Sequence, residues 1–153
     1  MLSTRMRATA FAALYTLLGA SSAQTVTFYP NANLTDTAGN LIQAHGGAII
    51  QDQNAAATGA STWYWFGQND VTDTDFDGFL GVTCYQTDDW VSWDYLGLAL
   101  APVAGTDISD DAVIERPKVL YNALNDEYVM WFHLDNSDYG YDGCFQMCSS
   151  SSI

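Results

Sequence analysis

The stretch Thr62-Trp63-Tyr64-Trp65-Phe66-Gly67 decides the fold, because it places four aromatic residues in a row before a glycine. Aromatic and β-branched runs bounded by Asn, Asp, Gly and Ser are typical of short β-strands. Runs of the same character occupy residues 46–51, 80–85 and 93–98. No segment keeps a 3.6-residue apolar period, so the sequence predicts an all-β chain.

The strand pattern begins again in the second half of the chain. Residues 118–121, a turn at 122–126 and residues 128–132 echo the first strands, and the Trp-Phe pair at 65–66 returns 66 residues later. A repeat that holds about four strands matches one blade of a β-propeller. The sequence therefore predicts an incomplete propeller of about two blades; a β-sandwich of about six or seven strands is the alternative.

The first 23 residues have the composition of a secretory signal peptide. Arg5 and Arg7 precede an apolar stretch at 8–20, and the small residues 21–23 offer a cleavage site before Gln24. The apolar run is shorter than the ~20 residues that cross a bilayer. We therefore expect a secreted, extracellular protein that begins near Gln24.

The charge of the remaining chain limits the classes of partner that it can bind. Beyond the leader, Arg116 and Lys118 are the only basic residues, against 18 acidic ones. Such a chain repels phosphate backbones and anionic lipid headgroups, so neither nucleic acid nor membrane is expected as a partner. Five Trp and nine Tyr provide core material and flat surfaces for a polysaccharide. A monomer is expected.

Cysteine and histidine content argues against a metal centre. Cys84, Cys144 and Cys148 are an odd number in an oxidising compartment, so one stays unpaired whichever two pair, and the pairing is left open. Two His in the whole chain make zinc a poor interpretation, and no cofactor is expected.

One acidic run resembles half of a calcium loop. Asp73, Asp75 and Asp77 alternate before Gly78, as the first ligands of such a loop do. The twelfth position, however, holds Cys84 instead of Glu. An acidic hairpin loop is the preferred interpretation, and calcium at these three aspartates is the alternative.

Six short motifs follow one another along the chain. They lie at residues 44–47, 63–67, 85–93, 97–100, 114–119 and 130–135. Together they resemble the amino-terminal part of glycoside hydrolase family 43, in its exo-β-1,3-galactanase group. The resemblance implies a five-bladed propeller that hydrolyses β-1,3-galactan with inversion at an axial site. A catalytically silent carbohydrate-binding protein is the alternative.

Glu115 is the catalytic candidate that the resemblance implies. It would orient the attacking water or tune the pKa of a general acid that lies on the third blade, outside this chain. Strand periodicity independently predicts that Glu115 and Pro117 face one way while Arg116 and Lys118 face the other, so that no ion pair forms with a neighbour. A surface carboxylate in a basic environment is the alternative.

Three residues are candidates for sugar binding: His45, because the adjacent glycine pair would allow a close approach, and Gln68 and Tyr139, which the resemblance implies. A structural His45 and a packed Tyr139 are the alternatives. Gln68 departs from the Glu that commonly follows the aromatic-Gly pair in the group, which removes a charge. The domain is expected to be a partial propeller over residues 24–141, followed by an aberrant or disordered tail over 142–153. Lacking the acid, the chain is expected to be inactive by itself.

Overall fold

A computed structural model describes residues 25–70 and 79–136, and the backbone of 144–150. The first sheet contains β1 (His45–Gln51), β2 (Trp63–Gln68), β3 (Val82–Thr87) and β4 (Asp94–Leu100), and one short helix, α1 (Gln53–Thr58), joins β1 to β2. The second sheet contains β5 (Ala112–Asn122), β6 (Glu127–Asn136) and β7 (Cys144–Ser150). In both sheets each strand pairs antiparallel with the next along the chain, which confirms the all-β prediction.

Several predictions lie outside these residues. These predictions concern the leader, the acidic run with Asp73, Asp75 and Asp77, and Tyr139. No helix of the described part is both long and apolar enough to span a membrane.

Two glycines allow β1 and β2 to approach each other closely. A Cβ on Gly47 would lie 1.7 Å from the carbonyl oxygen of Phe66, and one on Gly67 would lie 2.1 Å from the carbonyl carbon of Ala44. These distances are far below van der Waals contact, so only glycine fits either position. The pairing register of β1 with β2 shifts between His45 and Ala48, which places an irregularity at Gly46-Gly47.

The two sheets share one hydrophobic core. β5 contacts β1 and β2, and the side chains between the sheets form a single buried cluster. Its members from the first sheet and the segment before β3 are Tyr64, Phe66, Phe79, Val82 and Cys84; those from the second are Ala112, Ile114, Val119, Tyr128, Met130, Phe132 and Leu134. Burial of large side chains such as Phe132, 1% exposed, stabilises each by about 1.5–3 kcal/mol.

A bulge interrupts β5 where strand periodicity predicted strict alternation. Glu115 pairs with His133 and Lys118 with Trp131, so two residues of β5 stand opposite Phe132. Arg116 has φ 53°, in the left-handed region, where the first residue of the G1 type of bulge lies. The extra residue turns Pro117 into the core. The prediction that Glu115 and Pro117 share a face is therefore wrong.

The end of the described chain also differs from expectation. Residues 142–153 were predicted to lack strand structure, yet Cys144–Ser150 forms β7 and pairs with β6 from Leu134 to Tyr128. The physical reason is that the free edge of a strand offers main-chain donors and acceptors to any extended segment. A strand at Cys144–Ser150 was not expected within the tail, and the domain bounds themselves stay a prediction.

Candidate functional site

The irregular positions of β1 and β5 meet at one point, which we call the bulge junction: Gly46, Gly47, Arg116 and Pro117. Lys118 holds it together. Its ammonium group donates to the carbonyl oxygens of Gly46 at 2.5 Å and Gly47 at 2.9 Å, and it lies 3.4 Å from that of Pro117. The junction thereby fixes the start of β1 against the middle of β5.

Glu115 lies beside the junction in a polar cluster. Its Oε2 atom is 3.3 Å from Nδ1 of His133, a long hydrogen bond when that nitrogen carries a proton. The other ring nitrogen of His133, Nε2, lies 3.8 Å from Oδ2 of Asp135. The Glu115 and His133 side chains are 29% and 25% exposed and that of Asp135 only 5%. The imidazole therefore stands between two carboxylates, one reachable from solvent and one buried.

A cavity of about 270 Å³ opens over this cluster. Its lining combines charged and aromatic residues: Glu115, Arg116, Lys118, Trp131, Phe132 and His133. Trp131 is 44% exposed and presents an indole wall, whereas Phe132 belongs to the buried core. A carboxylate and an exposed aromatic side chain in one cavity are a suitable combination for a sugar.

Burial changes the electrostatics of Lys118. It lowers the pKa of this lysine below its ordinary value, and the positive charge of Arg116 lowers that pKa further. Since the ammonium group is bound by carbonyl oxygens, its charge is partly satisfied by main-chain dipoles. The three charged neighbours in sequence, Glu115, Arg116 and Lys118, all line the same cavity instead of alternating across the sheet.

His45 and Gln68 lie at the start of β1 and the end of β2, where they are cross-strand partners. His45 directly precedes the bulge junction, and its Nδ1 atom is 3.7 Å from Oδ2 of Asp70. The side chains of His45 and Asp70 are well exposed, 70% and 49%. The fold thus brings the segments of His45, Gln68 and Glu115 to the bulge junction, while the sugar-binding roles of the first two remain predictions.

His133, Trp131 and Lys118 were missed as site residues. If the β5–β6 hairpin had no bulge, its register, counted from the turn after β5, would place Glu115 opposite Leu134. The inserted residue places it opposite His133 instead. No sequence signal marks that insertion. The first position of such a bulge is usually recognised by a glycine, and here it is occupied by Arg116. Among the described residues, no group of three His, Cys, Asp or Glu side chains could hold a metal ion.

Comparison with solved structures finds close similarity. The chain is 44% identical to an exo-β-1,3-galactanase from Phanerochaete chrysosporium, solved with β-1,3-galactotriose, over 80% of this chain and 26% of that one, with a TM-score of 0.69. It is 35% identical to an exo-β-1,3-galactanase from Clostridium thermocellum over 80% of this chain and 24% of that one, with a TM-score of 0.68.

A third structure carries the family designation. This β-1,3-galactosidase of the GH43 family, solved with galactodeoxynojirimycin, is 35% identical over 80% of this chain and 34% of its own, with a TM-score of 0.65. No protein-family model and no curated protein matches the chain. The chain spans about a quarter of the length of the exo-β-1,3-galactanases that it resembles.

Proposed function

Because this chain is related over 80% of its length to the exo-β-1,3-galactanases of glycoside hydrolase family 43, we propose that it is part of a secreted glycosidase acting on β-1,3-galactan. The observation that carries the proposal is the position of Glu115. In the segment shared with these enzymes, it is a partly exposed carboxylate in a cavity that also has an indole wall.

The proposed reaction requires two catalytic groups. Inverting hydrolysis requires a protonated carboxyl that assists the leaving oxygen and a second group, ~6.5–9.5 Å away, that activates water. We assign Glu115 one of two roles: it orients the attacking water, or it tunes the pKa of the general acid. The acid itself belongs to a further blade of a five-bladed propeller. The two antiparallel sheets described above would be its first two blades.

Sugar binding would use the residues around the same cavity. Trp131 offers a flat face on which a galactose ring can stack, and Glu115 can accept hydrogen bonds from hydroxyl groups. His45 and Gln68 lie across the bulge junction and would contact the chain of sugars further along. Tyr139 is retained as a fourth contact, and no metal or cofactor takes part.

A silent carbohydrate-binding protein is the second candidate. It is favoured by the pairing of one carboxylate with one exposed tryptophan in the cavity, since stacking and hydrogen bonding suffice for binding. In this case β-1,3-galactotriose binds but is not cleaved, even when a further blade supplies the acid.

A chimera separates the two candidates. Residues 44–136 replace the matching segment of the Phanerochaete chrysosporium enzyme, and galactose release from β-1,3-galactan is measured. An active chimera supports the glycosidase. Glu115→Gln should then lower kcat by about 10²–10⁴, as loss of a positioned acid or base does. A folded chimera that binds galactotriose without cleaving it would favour the silent protein, and a Glu115→Gln kcat within about twofold of the parent would remove Glu115 from the chemistry.

A further inference from the structure

One motif of the chain lies outside the candidate site and outside the six motifs that carry the family resemblance. Asn33-Leu34-Thr35 has the pattern Asn-x-Ser/Thr of an acceptor for N-linked glycans, and no other position of the sequence has it. Both the asparagine and the threonine are exposed, in the segment that precedes β1. A bulky, solvated group attached there would not displace the hydrophobic core.

The chain directly after Asn33 is fixed to the first sheet. Thr35 forms an antiparallel bridge with Leu41, which closes a small loop between them. Within this loop, the amide of Thr37 donates a hydrogen bond to the carbonyl oxygen of Trp93 at 2.9 Å, directly before β4. A glycan on Asn33 would therefore be attached close to a fixed point of the fold.

The chain directly before the motif makes a tight turn. The amide of Ala32 donates to the carbonyl oxygen of Tyr29 at 3.2 Å. Pro30 and Asn31 form the turn between them, and Asn31 has φ 66°. Proline followed by a residue of positive φ is typical of a type II turn, whose first and last residues lie within about 7 Å of each other. The turn thus brings Tyr29 close to Asn33, which follows it.

The surroundings of Asn33 are unusually apolar for an exposed loop. Tyr29 is 74% exposed and Phe28 55%, and Leu34 and Leu41 are exposed as well. Exposed apolar side chains that lie together mark a surface that another group covers. The ring of a tyrosine suits the apolar face of a sugar, and a sugar attached to Asn33 is an occupant that the sequence itself specifies.

We propose that Asn33 carries an N-linked glycan whose first N-acetylglucosamine stacks on Tyr29. In the transfer, Nδ2 of Asn33 forms a bond to C1 of this sugar, and the bond from C1 to the diphosphate of a lipid-linked oligosaccharide breaks. The lipid diphosphate leaves with the electron pair of that bond, and one amide proton is released. The inference rests on the proposed secretion, because this transfer takes place in the secretory pathway, but not on the proposed cleavage of galactan.

Mass spectrometry tests the modification on the full 153-residue chain, made with its own leader in a eukaryotic secretory host. Medium and cell lysate are both analysed. Asp36 is the first aspartate of the sequence, so a protease that cuts before aspartate releases everything up to Thr35 as one peptide. Subsequent treatment with an amidase that removes N-glycans converts a glycosylated Asn to Asp, and heavy-oxygen water labels the new carboxylate. We expect the label on Asn33, in a peptide that begins near Gln24.

Four variants locate the glycan. Asn33→Gln and Thr35→Ala both destroy the acceptor motif and should abolish the label. Thr35→Ser keeps the hydroxyl group and should retain it. Asn31→Gly is the matched control at the neighbouring exposed asparagine: glycine suits the positive φ of the turn, and the glycan should be unchanged.

The contact with Tyr29 is tested by the rate at which the amidase removes the glycan from the undigested chain. A stacked sugar becomes accessible only after it leaves the ring. Tyr29→Ser should therefore raise this rate by about two- to tenfold, the range expected for one aromatic stacking contact. In heat-denatured samples the variant and the parent should release the glycan at equal rates.

Unmodified Asn33 in chains that have lost residues 1–23 would overturn the inference and leave the proposed secretion standing. Chains that keep residues 1–23 and carry no glycan would refute the secretion and this inference together. Equal release rates for Tyr29→Ser and the parent before denaturation would refute the stacking contact. Cleavage of galactan is judged separately, by galactose release from the chimera.

Discussion

His133 is the residue through which the surroundings of Glu115 can be altered while its carboxylate is kept. The imidazole contacts Glu115 through Nδ1 and faces Asp135 through Nε2, so it limits the directions in which the Glu115 carboxylate can point. It does not contact the substrate in the proposed mechanism, and it is a positioning residue.

Replacement of His133 by Phe should therefore lower kcat of the active chimera by about tenfold, since one hydrogen bond contributes about 1–1.5 kcal/mol and about 1.4 kcal/mol is tenfold in rate. KM should change little. In the double variant with Glu115→Gln, the His133 substitution should have almost no further effect on kcat, because the carboxylate that His133 positions has been replaced by an amide that cannot take part in the chemistry. Additive effects of the two substitutions would assign His133 to stability instead.

The approach of β1 to β2 depends on a glycine that no other residue can replace. Gly47→Ala would place Cβ 1.7 Å from the Phe66 carbonyl oxygen, and that oxygen is main chain and cannot rotate away. We expect a loss of about 3 kcal/mol or more in the free energy of unfolding, the range of severe steric substitutions.

Gly59→Ala is the matched control. Gly59 ends α1 with φ 81°, and a Cβ added there would have no atom within 4 Å, so alanine brings only backbone strain of about 1–2 kcal/mol. Urea unfolding of both variants measures the two losses. Equal losses would show that the β1–β2 contact relaxes and that sterics do not fix this part of the sheet.

Strand positions were predictable from the sequence, whereas strand registers were not. The aromatic run at 63–66 forms β2 because bulky planar side chains fit a pleated, half-buried surface. The partner of Glu115, in contrast, follows from one inserted residue at Arg116, and a single-residue shift changes every cross-strand pair. Glu115 was therefore found by its sequence context, while His133 became visible only through the register.

Short-range hydrogen bonds explain two further differences. α1 is too short for a periodic signal, and it forms because Asp52 accepts hydrogen bonds from the amides of Asn54 and Ala55 at its start. β7 forms by main-chain pairing with β6, which requires no side-chain pattern. Elements of both kinds depend on neighbours rather than on their own composition.

The balance of charge over the whole molecule predicts how its stability depends on pH and salt. Amides of Ser92 and Val91 donate to Asp89 and hold its pKa at about 2. For Asp36, burial acts to raise the pKa, but hydrogen bonds from Asn40 and Ala38 bring it below the ordinary value. Because the pKa of each of these carboxyl groups is lower in the folded than in the unfolded chain, its ionised form stabilises the fold above the unfolded pKa of about 4. This stabilisation is lost as the pH falls further.

Tm should therefore fall as the pH drops from about 4 towards 2, and Asp89→Asn should flatten part of that decline. At pH 7, added salt should raise Tm, because 18 acidic residues face only four basic ones and screening reduces their mutual repulsion. Thermal unfolding at several pH values and salt concentrations measures both effects. A Tm that stays constant down to about pH 2 would show that these hydrogen bonds persist equally in the unfolded chain.

The contact of Lys118 with Gly46 and Gly47 has a consequence for how sequences of this kind can diverge. Its acceptors are carbonyl oxygens, which every amino acid possesses, so the ammonium group recognises the path of the backbone and not the identity of a side chain. Exposed residues along β1 can thus be substituted during evolution without disturbing the contact between the two sheets. What must be inherited together is the lysine and the glycine pair that shapes the path it recognises.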